Sequence, residues 1–355
     1  MRRAHRRARR STGVRVNSVM AAEALSTASC VEQQLARDAE RYAALGRRLR
    51  EADPTSVLTL ARGSSDHAAA YGAYLVMARL GRVVASLPMS LITLYKSPLQ
   101  ARNTLALAIS QSGQSPDVVE PMRYFREGGA LTVALVNDAA SPLAHAAEWA
   151  LPLHAGVERS VAATKSFIAS LVAAARLVAH WQPDEALQAG LQGLPGALAE
   201  AARADWSMAI EVLVAARSIM VVGRGTGLSV ALEAALKLKE TSALQAEAFS
   251  GAEIEHGPMA LIDEGYPLLV FAMRGPAQAG LRQLAREMRA RGARVLLAAP
   301  ADVPERQLTL PVAPTPDLDP IVAIAAFYVM AAGLAEARGL DPDRPRHLSK
   351  ITRTR

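Results

Sequence analysis

Ser110-Gln111-Ser112-Gly113-Gln114-Ser115 gathers three hydroxyls around one glycine, directly before Pro116. Proline suits the first position of a helix and serine its N-cap. Backbone N–H groups and hydroxyls at a helix start can all donate to a phosphate dianion, and the helix dipole adds to the attraction. A cap alone would account for Ser115, but not for Ser110 and Ser112. Gly63-Ser64-Ser65 is a second, weaker donor loop. Glu233, Lys237 and Glu240 stand at i, i+4 and i+7, one face of one helix. That spacing fits a surface ladder of ion pairs as well as a buried acid–base group. The chain holds only five lysines, Lys96, Lys165, Lys237, Lys239 and Lys350, among 40 basic residues. A lysine amine can lose its proton and condense with a carbonyl, whereas a guanidinium cannot. His256 sits in Glu255-His256-Gly257-Pro258, where Gly-Pro predicts a fixed turn; a lone histidine there could also be structural. A phosphate grip with a carboxylate, an imidazole and an amine could move a proton beside the carbonyl of a phosphorylated amino sugar.

These residues need a frame. Residues 21–50 read as helix. Short β-rich runs then alternate with helical stretches: Val57–Ala61, Thr104–Ile109, Leu131–Val136 and Trp149–Leu153. A second set follows at Ile219–Val222, Leu268–Ala272, Val295–Ala298 and Leu308–Val312. Such alternation predicts βαβ units with parallel sheets, an α/β protein. Gly225 follows Gly63 by 162 residues, and the same offset carries Ser110 to Ala272 and Leu131 to Ala293. The spacing predicts a duplicated domain. Its seam is expected near 183–205, where Gln182-Pro183-Asp184 and Gly190 to Pro195 interrupt the pattern. In an open parallel sheet, ligands bind outside the carboxyl ends of the strands, where Ser110 to Ser115 would lie. The second half carries Ala272-Met273-Arg274-Gly275-Pro276 at that place, with no hydroxyl cluster.

At 355 residues the chain can hold two domains, each with its own core. One cysteine, Cys30, excludes an internal disulfide and fits a reducing cytoplasm. The net charge of +7 resides in seven arginines among the first 15 residues, leaving 33 basic and 33 acidic residues. That stretch (1–20) reads as a disordered extension, with Met20 an alternative start. No apolar core follows it, so it is not a secretory signal. The body shows no basic stripe interleaved with aromatics, which argues against nucleic acid. The longest apolar run, Ile321 to Ala335, is shorter than the ~20 residues that span a bilayer, so a buried helix is expected rather than a membrane anchor.

Five stretches in order carry a resemblance: Ile109–Gly113, Ala163-Thr164-Lys165-Ser166-Phe167, Ala235-Leu236-Lys237-Leu238-Lys239-Glu240, Glu255–Pro258 and Pro345-Arg346-His347-Leu348-Ser349-Lys350. Together they resemble the isomerase half of glucosamine-6-phosphate synthase, a tandem of two sugar isomerase (SIS) domains. The likeness runs from about residue 21 to the C-terminus. It implies two flavodoxin-like three-layer α/β/α domains, at 51–190 and 200–340, with 341–355 over the active site. It implies that Gly63, Ser64, Ser65, Ser110, Gln111, Ser112 and Ser115 hold the sugar phosphate, with Val161 and Ala162 against the sugar. Glu240 would be the base between C1 and C2, Lys350 would lie near the carbonyl, and Lys237 would organise the site. His256 would assist ring opening across a homodimer interface. No metal or redox cofactor is implied. The residues before the first domain are too few for the glutaminase domain of that synthase. The resemblance therefore points to a cytoplasmic glucosamine-6-phosphate deaminase. A galactosamine-6-phosphate deaminase or an ammonia-dependent synthase stays open. A phosphosugar-sensing regulator is less favoured, because no helix-turn-helix unit fits before residue 50.

Overall fold

The computed structural model describes residues 17–350. The arginines expected to form a disordered extension therefore lie outside the described residues, as do 351–355. The folded body begins earlier than residue 21. Ser18 caps α1 (Val19–Leu25) by accepting from the Ala21 amide, and Met20 is buried, so the segment before residue 21 takes part in the fold. Two further helices follow, α2 (Thr27–Leu35) and α3 (Ala39–Ala52).

The first half runs β1 (Ser56–Leu60), α4 (Ser64–Leu80), β2 (Val84–Ser86), α5 (Ser90–Thr93), β3 (Thr104–Ser110), α6 (Pro116–Glu127), β4 (Leu131–Val136), α7 (Pro142–Ala146), β5 (Trp149–Pro152) and α8 (Lys165–Trp181). Helices α9 (Glu185–Ala201) and α10 (Ser207–Leu213) lead to the second half. There β6 (Ser218–Gly223), α11 (Gly227–Ser242), β7 (Gln245–Ser250), two 3-10 turns (Glu253–His256 and Pro258–Leu261) and β8 (Pro267–Phe271) are followed by α12 (Gln278–Ala290), β9 (Arg294–Ala299), β10 (Leu308–Thr309) and α13 (Asp319–Ala337). All strand pairs are parallel. The sheets are ordered β2-β1-β3-β4-β5 and β10-β9-β8-β6-β7. Counted within its own half, each follows the doubly wound order 2-1-3-4-5. The fold is α/β, and the duplication is complete in topology.

Strands β3 and β4 are apolar on both faces, as parallel strands covered by helices must be. Their alternate residues feed different cores. Leu105, Leu107 and Ile109 join a large core shared with α4, α8, α11, α13 and the inner face of the second sheet. Ala106 and Ala108 join a smaller core under α5 to α7, and Leu268 and Val270 join another under α12. The halves therefore do not have separate cores, as the chain length alone suggested. Four helices form one layer between two sheets. The apolar run of α13 lies in that layer, 94% buried over its most apolar window.

Two strands escape the sequence reading. Both β2 and β7 lie at sheet edges, and their exposed residues break the hydrophobic pattern. The last strand is shorter than expected, since Pro311 can donate no ladder bond. Gly190 to Pro195 is not a break but the interior of α9. The glycines permit close packing: an added Cβ would lie 2.8 Å from Thr315 Cγ2 at Gly190 and 2.7 Å from Pro314 Cγ at Gly193.

Candidate functional site

The strand order of the first half reverses between β1 and β3, and the loops leaving those two strands face each other across the crevice. After β3, Ser110 Oγ accepts from the Gly113 amide at 2.9 Å and Ser112 Oγ accepts from the Gln114 amide at 3.3 Å. Each hydroxyl proton stays available to a ligand. Gly113 is obligatory here: its φ is +63°, and an added Cβ would meet Ser141 Oγ at 2.2 Å. Ser115 holds the N-cap position of α6, but its hydroxyl makes no capping bond. Ser115 Oγ is buried without a hydrogen-bond partner. A hydroxyl left unbonded in a polar crevice can donate to a bound anion. After β1, Gly63 (φ +55°) turns the chain into α4, which begins with Ser64 and Ser65.

Opposite this cradle, α11 brings Glu233, Lys237 and Glu240 on one face. The group is no surface ladder: the Glu233 and Lys237 side chains are 0% and 1% exposed. Glu233 accepts from Ser64 Oγ at 3.0 Å, His67 Nδ1 at 2.9 Å and Tyr328 OH at 3.1 Å, with Lys237 Nζ 3.5 Å away. Ser64 is thereby committed to Glu233 rather than to a phosphate. Lys237 Nζ donates to Glu240 Oε2 at 2.5 Å. Burial pushes the Lys237 amine down, yet the carboxylates of Glu233 and Glu240 outweigh it and hold the amine above its ordinary range. Lys237 is thus a fixed cation that orients Glu240, the partly exposed carboxylate of the set.

The C-terminal segment closes the cleft. Lys350 Nζ donates to Glu158 Oε2 at 2.7 Å. Glu158 is 5% exposed and also accepts from the amides of Thr164 and Ser166 and from Ser166 Oγ at 2.6 Å. Burial pushes its carboxyl up, but the Lys350 charge and these bonds win and hold it below the usual range. Asp343 secures the same segment. Its carboxylate accepts from the Val19 and Met20 amides at 2.8 and 2.7 Å, and its carbonyl accepts from the Val161 amide at 3.2 Å.

One cleft of about 350 Å³ gathers Gly63, Ser64, Ser65, Ser110, Gln111, Ser112, Ser115, Val161, Lys237, Glu240 and Lys350. Two expected residues are not in it. Ala162 is buried in the shared core, and Ala163 lines the cleft instead. His256 ends an exposed 3-10 turn after β7 and lines no part of this cleft. Sequence reasoning missed Glu158, His67 and Tyr328, whose roles arise only where distant elements meet. Among the described residues, no group of three or more His, Cys, Asp or Glu could hold a metal ion. The arrangement can grip a phosphate at one end and present the Glu240 carboxylate, bonded to Lys237, in a cleft that Lys350 also lines.

Residues 49–179 and 212–300 match the SIS domain. The glutamine–fructose-6-phosphate aminotransferase (isomerizing) of a Thermus thermophilus strain is 34% identical over 331 residues, covering 88% of this chain and 54% of that protein. The chain thus spans about half the length of the curated relatives it matches. A structure from Silicibacter pomeroyi DSS-3, provisionally assigned as a phosphosugar isomerase, is 42% identical, with a TM-score of 0.87 over 92% of this chain and 100% of that one. The C-terminal domain of glucosamine-fructose-6-phosphate aminotransferase from Francisella tularensis has the same fold at 22% identity, with a TM-score of 0.80 over 95% of this chain and 100% of that one.

Proposed function

The chain belongs to the SIS domain family, and from that premise we propose that it is a phosphosugar isomerase acting as a glucosamine-6-phosphate deaminase. The observation that carries the reading is the juxtaposition of a serine cradle, with Ser115 Oγ unbonded, and Glu240, Lys237 and Lys350 around one cleft. The relatives' names, both isomerising and phosphosugar, support the coarser part. The finer part rests on the chemistry the groups can perform.

Ser110, Ser112, Ser115 and the start of α6 hold the 6-phosphate dianion. Ring opening exposes the C1 aldehyde, toward which Lys350 donates. Glu240 removes the proton from C2, and the electron pair flows toward the C1 carbonyl to give an enolamine. Return of a proton to C1 leaves an imine at C2. Water adds to that imine and ammonia leaves, giving fructose 6-phosphate. The balance is glucosamine 6-phosphate plus water to fructose 6-phosphate plus ammonia, with no redox change. Lys237 keeps Glu240 aimed until it accepts the proton. His256 assists ring opening in the cleft of a second copy of the chain, as a homodimer would allow.

The test is incubation with glucosamine 6-phosphate without glutamine, following ammonia and fructose 6-phosphate together. Equal release of both is expected. Exchange of the C2 proton without ammonia release would leave an isomerase and refute the deaminase.

A further inference from the structure

We propose that the cleft at the end of the second sheet binds a phosphorylated small molecule and holds it without chemistry. This cleft encloses about 650 Å³, between the loop after β6 and the loop after β8. That is the point where the second sheet reverses its strand order, equivalent to the first cleft. The 162-residue offset places Arg224, Gly225, Thr226 and Gly227 on Arg62, Gly63, Ser64 and Ser65.

The equivalence extends to the facing helices. Helix α4 starts in the first cleft with Ser64 and Ser65 and sends Tyr74 into the second. Helix α11 starts in the second with Gly227 and sends Lys237 and Glu240 into the first. The same offset carries Lys237 and Glu240 to Leu75 and Ala78 of α4, and neither lines the second cleft, to which that helix contributes Tyr74. Helix α4 thus brings neither a carboxylate nor an amine to the second cleft, in contrast to what α11 brings to the first.

The charges select an anion. Arg274 is bound to Asp319 at 2.9 and 2.6 Å, and Asp317 is paired with Arg79. The Arg224 guanidinium is exposed and has no partner among the described residues. It is the uncompensated charge of this cleft, and the adjacent amides of Gly225 and Thr226 also donate to no acceptor among the described residues. A guanidinium beside free amides suits a phosphate monoester. Tyr74, Met273 and Pro276 supply an apolar wall for the rest of the ligand.

The proposal does not depend on which reaction the first cleft runs. The probe is fructose 6-phosphate, titrated calorimetrically into the full chain. Two equivalents per chain are expected. Ser112→Asp, which puts a like charge in the first cradle, should leave one equivalent, and adding Arg224→Glu should weaken that one at least tenfold. Arg224→Glu alone should leave turnover unchanged. If Ser112→Asp does not fold, hydrogen exchange on the wild type decides. The probe should protect amides 225–227, 275, 277 and 278, and Arg224→Glu should abolish that protection. No protection at 225–227 overturns the proposal, as does a single equivalent in the wild type that Ser112→Asp removes. Loss of binding at 110–115 alone would count against the function proposed for the first cleft, not against this site.

Discussion

The first cleft offers Ser110 to Ser115 to a ligand and faces Lys237 and Glu240 across it. The second offers Met273 to Ala277 and looks toward Tyr74 of α4, whose Leu75 and Ala78 are offset-matched to the lysine and the glutamate. Strand order is the same in both, and each cleft lies where its sheet reverses that order. The clefts differ in their side chains and in the C-terminal segment, which lines only the first. A doubly wound half therefore supplies a crevice by its topology, and a handful of substitutions decides whether the crevice can do chemistry.

Removing the base tests this contrast most strongly. Glu240→Gln should lower turnover by about 10³-fold, the scale of a positioned general base, while substrate binding changes little. Ala78→Gln, at the offset-matched place on α4, should leave the rate within about twofold. Proton exchange at C2, followed by NMR, reads both. Equal effects at the two places would break the comparison.

Glu158→Gln comes next. It removes the buried charge that holds Lys350, and misplacement of a reacting group by about 1 Å costs about 10²-fold. The expected loss is in kcat more than in KM. Ser115→Ala should raise KM about tenfold, the worth of one hydrogen bond to a charged phosphate. Its melting temperature should not fall, because the hydroxyl has no partner to lose. Ala277→Ser in the second cleft should leave KM unchanged.

The smallest effect is in pH. The Glu158 carboxyl is held below its ordinary value of 4.5, chiefly against burial, by Lys350 and Ser166. A depressed folded value means that this stabilisation is complete above about 4.5 and is lost as pH falls through the lowered value. Unfolding free energies of the wild type and Glu158→Gln should therefore differ above that pH and converge below it.

Much of this was legible because the informative residues were local. The serine cradle and the Glu233-Lys237-Glu240 face each fit within a few turns of chain. Period-two and period-3.6 patterns placed most of the strands that carry them. What stayed hidden depends on contacts between distant segments. Glu158 looks like an ordinary loop glutamate until Lys350 meets it from 192 residues away. His67 looks like a solvent-facing helix residue until α11 places Glu233 beside it. Edge strands β2 and β7 hid because half-exposed strands need little hydrophobic pattern. Ala162 and Ala163 could not be told apart, because one residue of phase in an irregular loop decides which side chain turns to the core.

Asp343 has a consequence beyond the cleft. By holding the Val19 and Met20 amides it brings the two ends of the described chain side by side, 324 residues apart in sequence. Adjacent ends make a chain open to circular permutation. A short linker from the C-terminal segment to Ser18, with a new opening in the 202–206 connection, would reverse the order of the halves. The contacts of both clefts would be kept. Such a permutant that folds would show that the fold depends on the layered packing of its halves, not on which one leads.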